Sequence, residues 1–436
     1  MNGLALLFLL VNIIAVLSVP RRWAPLPLLI GACYMTLGQG TEIGSLHFPL
    51  IRILILGALV RVAIRGERIV GKINALDKTM VVWAIVALIT SVFHKEPLSE
   101  LINRGGLILN VCGIYFLLRC LCQSLDDVAG LCRVTAILLV PLAVEMAMET
   151  VTRHNLFSVF GGVSPTPEIR EGRLRAQGPF MHAILAGTVA GVCLPMMVGL
   201  WRSGSKIALV GLGAALLMIV TCASSGPIMT ALASVAGLVM WRWRQHMQLV
   251  RRLAVVTYIG LDIVMKAPAY YVIAKMDITS GSTGYHRAAL IQSAITHLSE
   301  WWLFGTDYTR HWMATGVSWS PDHTDITNQY ILMGVIGGLP LMIVFIALFV
   351  KGFSFVGQEL KERQEMDLRQ QFFLWSLGVS LFAHMITCVS VSYFDQSFIF
   401  LYLTLGAIGS MRHSRSAAQA AVAAQVTPQP VPVGAF

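Results

Sequence analysis

Of 436 residues, 56% are apolar and only 12% charged, and the mean hydropathy is +0.71. Such a chain is neither an ordinary soluble domain nor a disordered one, but a polytopic membrane protein. Its formal charge of +10 would suggest nucleic acid in a soluble protein; here most of the excess sits in short connections between apolar runs, and no nucleic-acid motif accompanies it.

Apolar runs predict helices at about 3–19, 23–40, 48–65, 79–94, 105–121, 127–149, 182–201, 207–223, 227–241, 253–270, 329–350, 371–391 and 396–411. The first run has no preceding positive charge and no small-residue cleavage site before Pro20, so it is read as a retained helix. The all-α expectation is therefore one integral domain over residues 1–411, with about 12–13 spans across roughly 30 Å of hydrocarbon.

Arg21 and Arg22, then Arg65 to Lys78, Arg202 and Lys206, Arg242 to Arg252, Lys351 to Arg369, and Arg412 and Arg415 fall on alternate connections. The positive-inside rule makes that face cytoplasmic. The outer face then receives Lys95 to Arg104 and two long loops, 150–181 and 271–328. The tail, 412–436, is Ala, Gln, Val and Pro, too poor in large apolar residues to fold alone, and is expected to be disordered in the cytoplasm. The eight cysteines lie in or near predicted spans, which argues against disulfides.

The outer loops carry the residues suited to chemistry. Arg173 and Arg175 precede Gly178-Pro179-Phe180, where the chain turns into the helix near His182. A guanidinium pair offers planar forks matched to phosphate oxygens and keeps its charge; the competing reading is headgroup contact by an interfacial loop. Arg170 and Glu171 read as a surface pair. Arg287 opens a helical stretch, Ala288 to Ile295, followed by Trp301 and Trp302, which reads as an amphipathic helix at the membrane interface. If it starts near Ser282-Thr283-Gly284, its N-terminal amides also suit an anion.

His323, Asp325 and Asn328 come just before an apolar helix, where His323 could take a proton from a sugar hydroxyl with Asp325 tuning it. Glu145 and Glu149 share one face of the sixth helix; either would cost roughly 2.5–3.5 kcal/mol facing lipid at mid-bilayer, so both are placed beside a cavity or a partner such as His182. Asp395, between the last two spans, supports the site or caps a helix, and His384 is read as a hydrogen-bonded core residue. Metal binding is the weaker reading, because neither a His/Cys ligand series nor an Asp-x-Asp pair appears in these loops, and no cofactor is expected.

The order of an arginine-bearing loop, Arg287, and an outer loop ending at His323, followed eleven residues later by Gly334-Val335-Ile336-Gly337, resembles the O-antigen ligase and O-antigen polymerase superfamily. The resemblance covers roughly residues 140–350. It implies a metal-independent glycosyltransferase with a GT-C-like fold in the bacterial inner membrane. Its donor would be a glycan on undecaprenyl diphosphate and its acceptor a glycan or lipid hydroxyl at the outer face, with membrane lipids and other polysaccharide assembly proteins as partners. The family's essential arginines carry over to Arg175, less directly Arg173, and Arg287, and its histidine to His323. Two departures concern the acceptor: the usual Ser-Arg-Gly is here Ser224-Ser225-Gly226-Pro227, and the usual Pro-Asn is replaced around Met181-His182. With ligase features eroded, a polymerase-like role for exopolysaccharide or O-antigen is the preferred expectation. A lipid-linked oligosaccharide flippase or exporter and a non-catalytic assembly subunit are the alternatives.

Overall fold

The computed structural model describes residues 1–44, 46–69, 72–275, 284–365 and 367–411. Ser282 and Thr283, Arg412 and Arg415, and the whole 412–436 tail lie outside them. Of the described residues 73% are helix and 5% strand, which makes the fold all-α, with the strand confined to three two-stranded hairpins.

In chain order, α1 (Gly3–Ser18) and α2 (Leu26–Tyr34) precede the hairpin of β1 (Gly40–Ile43) and β2 (Leu46–Pro49). Four helices follow: α3 (Leu50–Arg65), α4 (Ala75–Ser91), α5 (Pro97–Leu121) and α6 (Leu125–Thr152). A second hairpin, β3 (Glu168–Arg170) with β4 (Arg173–Arg175), leads into α7 (Ala183–Arg202), α8 (Ile207–Thr221), α9 (Ser225–Val239) and α10 (Met247–Val264). After the single turn α11 (Val272–Lys275) come α12 (Gly284–Thr296), the short α13 (Leu298–Trp301) and the hairpin of β5 (Gly316–Val317) and β6 (Ser320–Thr324). The chain closes on α14 (Gln329–Glu362), α15 (Leu368–Thr387) and α16 (Phe398–Met411).

Each expected span overlaps a helix, but among the described residues only α5, α6, α7 and α14 are long and apolar enough to cross a membrane alone. A fifth is added if Ser225–Val264 and Ala269–Lys275, bent by 93°, count as one broken span. The apolar α1, α8 and α16 have 16, 15 and 14 residues, short of the ~20 needed for about 30 Å. The expected helix at 23–40 departs most: it stops at Tyr34, because Met35 is extended and the polar, glycine-containing run Thr36 to Gly40 favours a turn into β1. α10 buries no residue and stands off the bundle.

The hub is α7, with 83% of its apolar stretch buried against α8, α9 and α15. Where lipid surrounds a bundle, helices are drawn together by close packing and interhelical hydrogen bonds rather than by water exclusion. Accordingly Ser234 Oγ donates to Gly191 O (3.0 Å) and Ser380 Oγ to Val192 O (2.8 Å). On the other side of the bundle, α4 and α5 share one buried ion pair. Asp77 accepts from Arg119 Nε (2.8 Å) and Nη2 (2.9 Å), from the Tyr115 hydroxyl (2.7 Å) and from the Asn74 amide (2.9 Å). Both charged side chains are 1% exposed. Arg119→Ala would leave the carboxylate buried without its counter-charge, and unfolding in detergent is expected to show a loss of about 3–5 kcal/mol.

α14 is broken at Gly337–Gly338, where Gly338 has φ 71° and ψ −174°. The backbone groups freed by the break are taken up by neighbouring segments. Val335 O accepts from the Thr306 amide (2.9 Å), Ile336 O from His94 Nε2 (3.1 Å), and the Leu339 amide donates to Trp302 O (2.8 Å). The helix expected at the interface, α12, packs one face into a layer against α14. Leu290, Ala294, Trp301, Trp312, Ile331 and Val335 form a second apolar core, and Trp301 is 4% exposed with its indole N–H donating to Ala294 O (2.8 Å). Trp302 remains exposed.

Candidate functional site

The arginine-bearing loop folds as a tight hairpin. Its turn residues Glu171 and Gly172 both have positive φ, 51° and 75°, the conformation whose twist matches that of the flanking strands and that glycine adopts without strain. In register, Glu168 lies opposite Arg175 and Arg170 opposite Arg173. Side chains alternate along a strand, so these four share one face, while Ile169 and Leu174 take the other. Two arginines directly opposite one another repel; an anion between them would reverse the sign of that contribution. Arg175 is 4% exposed, and its Nη1 donates to Glu168 Oε2 at 2.8 Å. Its Nε is buried with no acceptor among the described residues, a cost of about 1–3 kcal/mol that a ligand oxygen would remove.

That face borders a cavity of about 380 Å³. Arg170, Arg173 and Arg175 line one side, His182 and Ile184 come from the start of α7, and Ser224 and Ser225 from the start of α9. Arg287, in the first turn of α12 and nearly buried, and Asp325 and Thr327, on the approach to α14, bring the distant part of the chain to the same space. Trp319, at the tip of the β5–β6 hairpin, and Ser390 and Ser392, after α15, complete the lining. The charged lining residues are four arginines and one carboxylate, and the first residues of α7 and α9 lie among the rest.

His182 is the N-cap of α7: its Nδ1 accepts from the Ile184 amide at 3.2 Å. That bond places the single proton of the neutral ring on Nε2, making it a donor. Burial lowers the affinity of His182 for a second proton, and the charge of Arg175 lowers it further against the opposing pull of Glu168.

Other expected site residues lie behind the lining. Glu149 Oε2 accepts from the Gln177 (3.1 Å) and Gly178 (2.9 Å) amides, and Glu145 Oε1 from the Leu156 amide (3.0 Å). Asp395 takes the Met181 (3.0 Å) and Ser397 (2.9 Å) amides. Glu149 and Asp395 position the segment between the arginine hairpin and α7, while Glu145 holds the turn that follows α6. Glu149→Ala would strip two buried amides of their acceptor, at about 1–3 kcal/mol each, and is expected to lower the unfolding midpoint in detergent. Asn328 caps α14, accepting from the Tyr330 (2.9 Å) and Ile331 (3.1 Å) amides. His384 is a core residue bonded to the Tyr393 hydroxyl at 2.8 Å.

His323 lies beside the cavity lining rather than in it. It sits on β6 with its ring 5.7 Å from that of Trp319 and is not among the residues lining the cavity, whereas Asp325 is. The neighbouring Thr324 anchors the strand through Thr309 Oγ1 and Thr315 O, and alternation along β6 puts His323 on the other face from Thr324. Arg170, expected only at the surface, does line the cavity, because the two-residue turn sets it across from Arg173. Ser224, Ser225, Ser390, Ser392 and Trp319 carried no signal that singled them out, although the first two stand where the superfamily pattern has its Ser-Arg-Gly. No protein-family model matches the sequence, and no curated protein is significantly similar to it.

Proposed function

We propose that the cavity receives the diphosphate of a polyprenyl-linked glycan, and that the protein transfers that glycan to an acceptor hydroxyl at the outer face of a bacterial inner membrane. The observation that carries this reading is the convergence of Arg170, Arg173, Arg175 and Arg287, from segments more than a hundred residues apart, on one cavity beside helix N-termini. Its volume, about 380 Å³, suits a diphosphate with an attached sugar, and lies within the usual range of roughly 300–1,000 Å³ for small-molecule sites.

In this reading the acceptor oxygen bonds to the anomeric carbon as the bond from that carbon to the diphosphate oxygen breaks, inverting the centre. The arginines hold the growing charge on the leaving diphosphate, a task that dry, preorganised donors perform well. Asp325 is the group placed to take the hydroxyl proton, in preference to His323, and His182 donates from Nε2. Trp319, 75% exposed at the rim, offers an aromatic face to a sugar ring. The multi-span, GT-C-like topology with the arginine hairpin outside belongs to the same proposal.

The test is incubation of purified protein with undecaprenyl-diphosphate oligosaccharide, with and without a lipid A–core acceptor. Lengthening of the lipid-linked glycan identifies a polymerase, and transfer to the added acceptor a ligase. Binding of the lipid with neither reaction would replace the proposal by a carrier.

A further inference from the structure

We propose that His297, Glu300 and His311 bind one Zn²⁺ ion at a site outside the cavity. His297 follows the end of α12, Glu300 lies in α13, and His311 sits in the 3₁₀ turn Arg310–Trp312. His297 Nδ1 is 2.8 Å from Glu300 Oε1, and His311 Nε2 is 2.9 Å from Oε2 and 3.1 Å from Oε1. All three ligand atoms fall within 4.8 Å of one another. Zinc bonds of about 2.0–2.2 Å in tetrahedral geometry separate ligand atoms by about 3.3–3.6 Å, so admitting the ion needs the His–Glu contacts to open by about half an ångström while the two imidazole nitrogens, within 4.8 Å, settle at the same spacing.

The surroundings hold the three side chains in place. The two imidazole rings stand perpendicular, at 88° with centroids 4.6 Å apart. His311 stacks on Tyr308 (5.1 Å, 11°) and His297 on Trp312 (6.0 Å, 9°), which fixes both rings. Trp312 Nε1 donates to Glu300 Oε2 at 3.2 Å, the outer bond that orients a ligating carboxylate. Two imidazoles and one carboxylate suit zinc, whereas calcium and magnesium prefer sites dominated by oxygen. The side chains are 29%, 36% and 35% exposed, leaving a path for the ion and room for a water as fourth ligand.

A bound ion would tie the α12–α13 corner to the turn carrying Trp312, whose indole is buried against α14. From that turn the chain continues into the β5–β6 hairpin and Asp325, so the ion braces one wall of the cavity without touching it. The set was invisible as a motif, because His-x-x-Glu is a common spacing and His311 lies on a separate turn.

The experiment uses untagged full-length protein in detergent, stripped with chelator, dialysed against zinc and measured for bound metal. One zinc per chain is expected, with excess magnesium and calcium failing to displace it. His297→Gln, Glu300→Gln and His311→Gln should each lose the ion and the accompanying rise in unfolding midpoint, while His154→Gln keeps both. Cobalt(II) in place of zinc should give visible absorption in the unmutated protein that zinc titrates away, a readout that does not depend on the stability of any variant. Absence of bound zinc, or its retention when all three residues are replaced, overturns the proposal. No substrate enters these measurements, so they stand or fail separately from the glycan reading.

Discussion

Arg287→Ala is expected to lower transfer from a lipid-diphosphate donor by about 10²–10³-fold, the usual consequence of removing one preorganised donor to charge that develops in the transition state. Arg175→Ala should do the same. The two tests differ usefully in what else they disturb. Arg175 is bonded to Glu168, but that carboxylate is 47% exposed, so leaving it single costs little and the variant should remain folded. Arg287 comes from α12, more than a hundred residues further along the chain, so equal losses in both variants would point to a shared ligand rather than to local damage in the β3–β4 hairpin. Their combination should cost less than the product of the single effects, because both act on one leaving group. Arg287→Lys restores charge without the planar fork and should recover only part of the rate. The measurement is glycan transferred per inserted protein, and retained transfer in both alanine variants would contradict the assignment.

Gly338→Ala is expected to destabilise the protein by about 3–5 kcal/mol or to prevent its accumulation in the membrane. At φ 71° and ψ −174° an L side chain is strained whatever the space. Here there is no space either: a Cβ would lie 2.3 Å from the Leu303 carbonyl oxygen and 2.4 Å from its carbon, both backbone atoms that cannot turn aside. Gly357→Ala, in the same helix with nothing within 4 Å of the added carbon, is the control and should be neutral or slightly stabilising. Thermal unfolding in detergent separates the two, and equal stability of both variants would refute the argument.

Hydropathy made the helices legible one by one, because an apolar run of fifteen residues or more has few other ways to satisfy its backbone. It did not make their lengths legible. Tyr34 ends α2 for reasons written in Thr36 to Gly40, and α14 runs on to Glu362 beyond its apolar stretch. Arg173, Arg175 and Arg287 stood out since guanidinium groups near hydrocarbon need a purpose, and the fold brings them to one cavity together with Asp325 and His182. His323 attracted notice by residue type and position in the chain, yet which face of β6 it occupies depends on how Thr324 is anchored. Serines at helix starts carry too little individuality to be found by type. The same holds for His297, Glu300 and His311, whose nearness is a product of the α12–α13 corner.

The interruption of α14 has a consequence for how any substrate could reach the arginines. Were the segment Trp302–Thr306 to swing away, the Val335 oxygen and the Leu339 nitrogen would be stranded in an apolar setting, each at a cost of about 1–3 kcal/mol. That layer is therefore welded to the bundle and is no door. If the proposed donor binds there, its way in would lie past walls whose backbone the broken helix does not borrow, such as the exposed hairpin tip at Trp319.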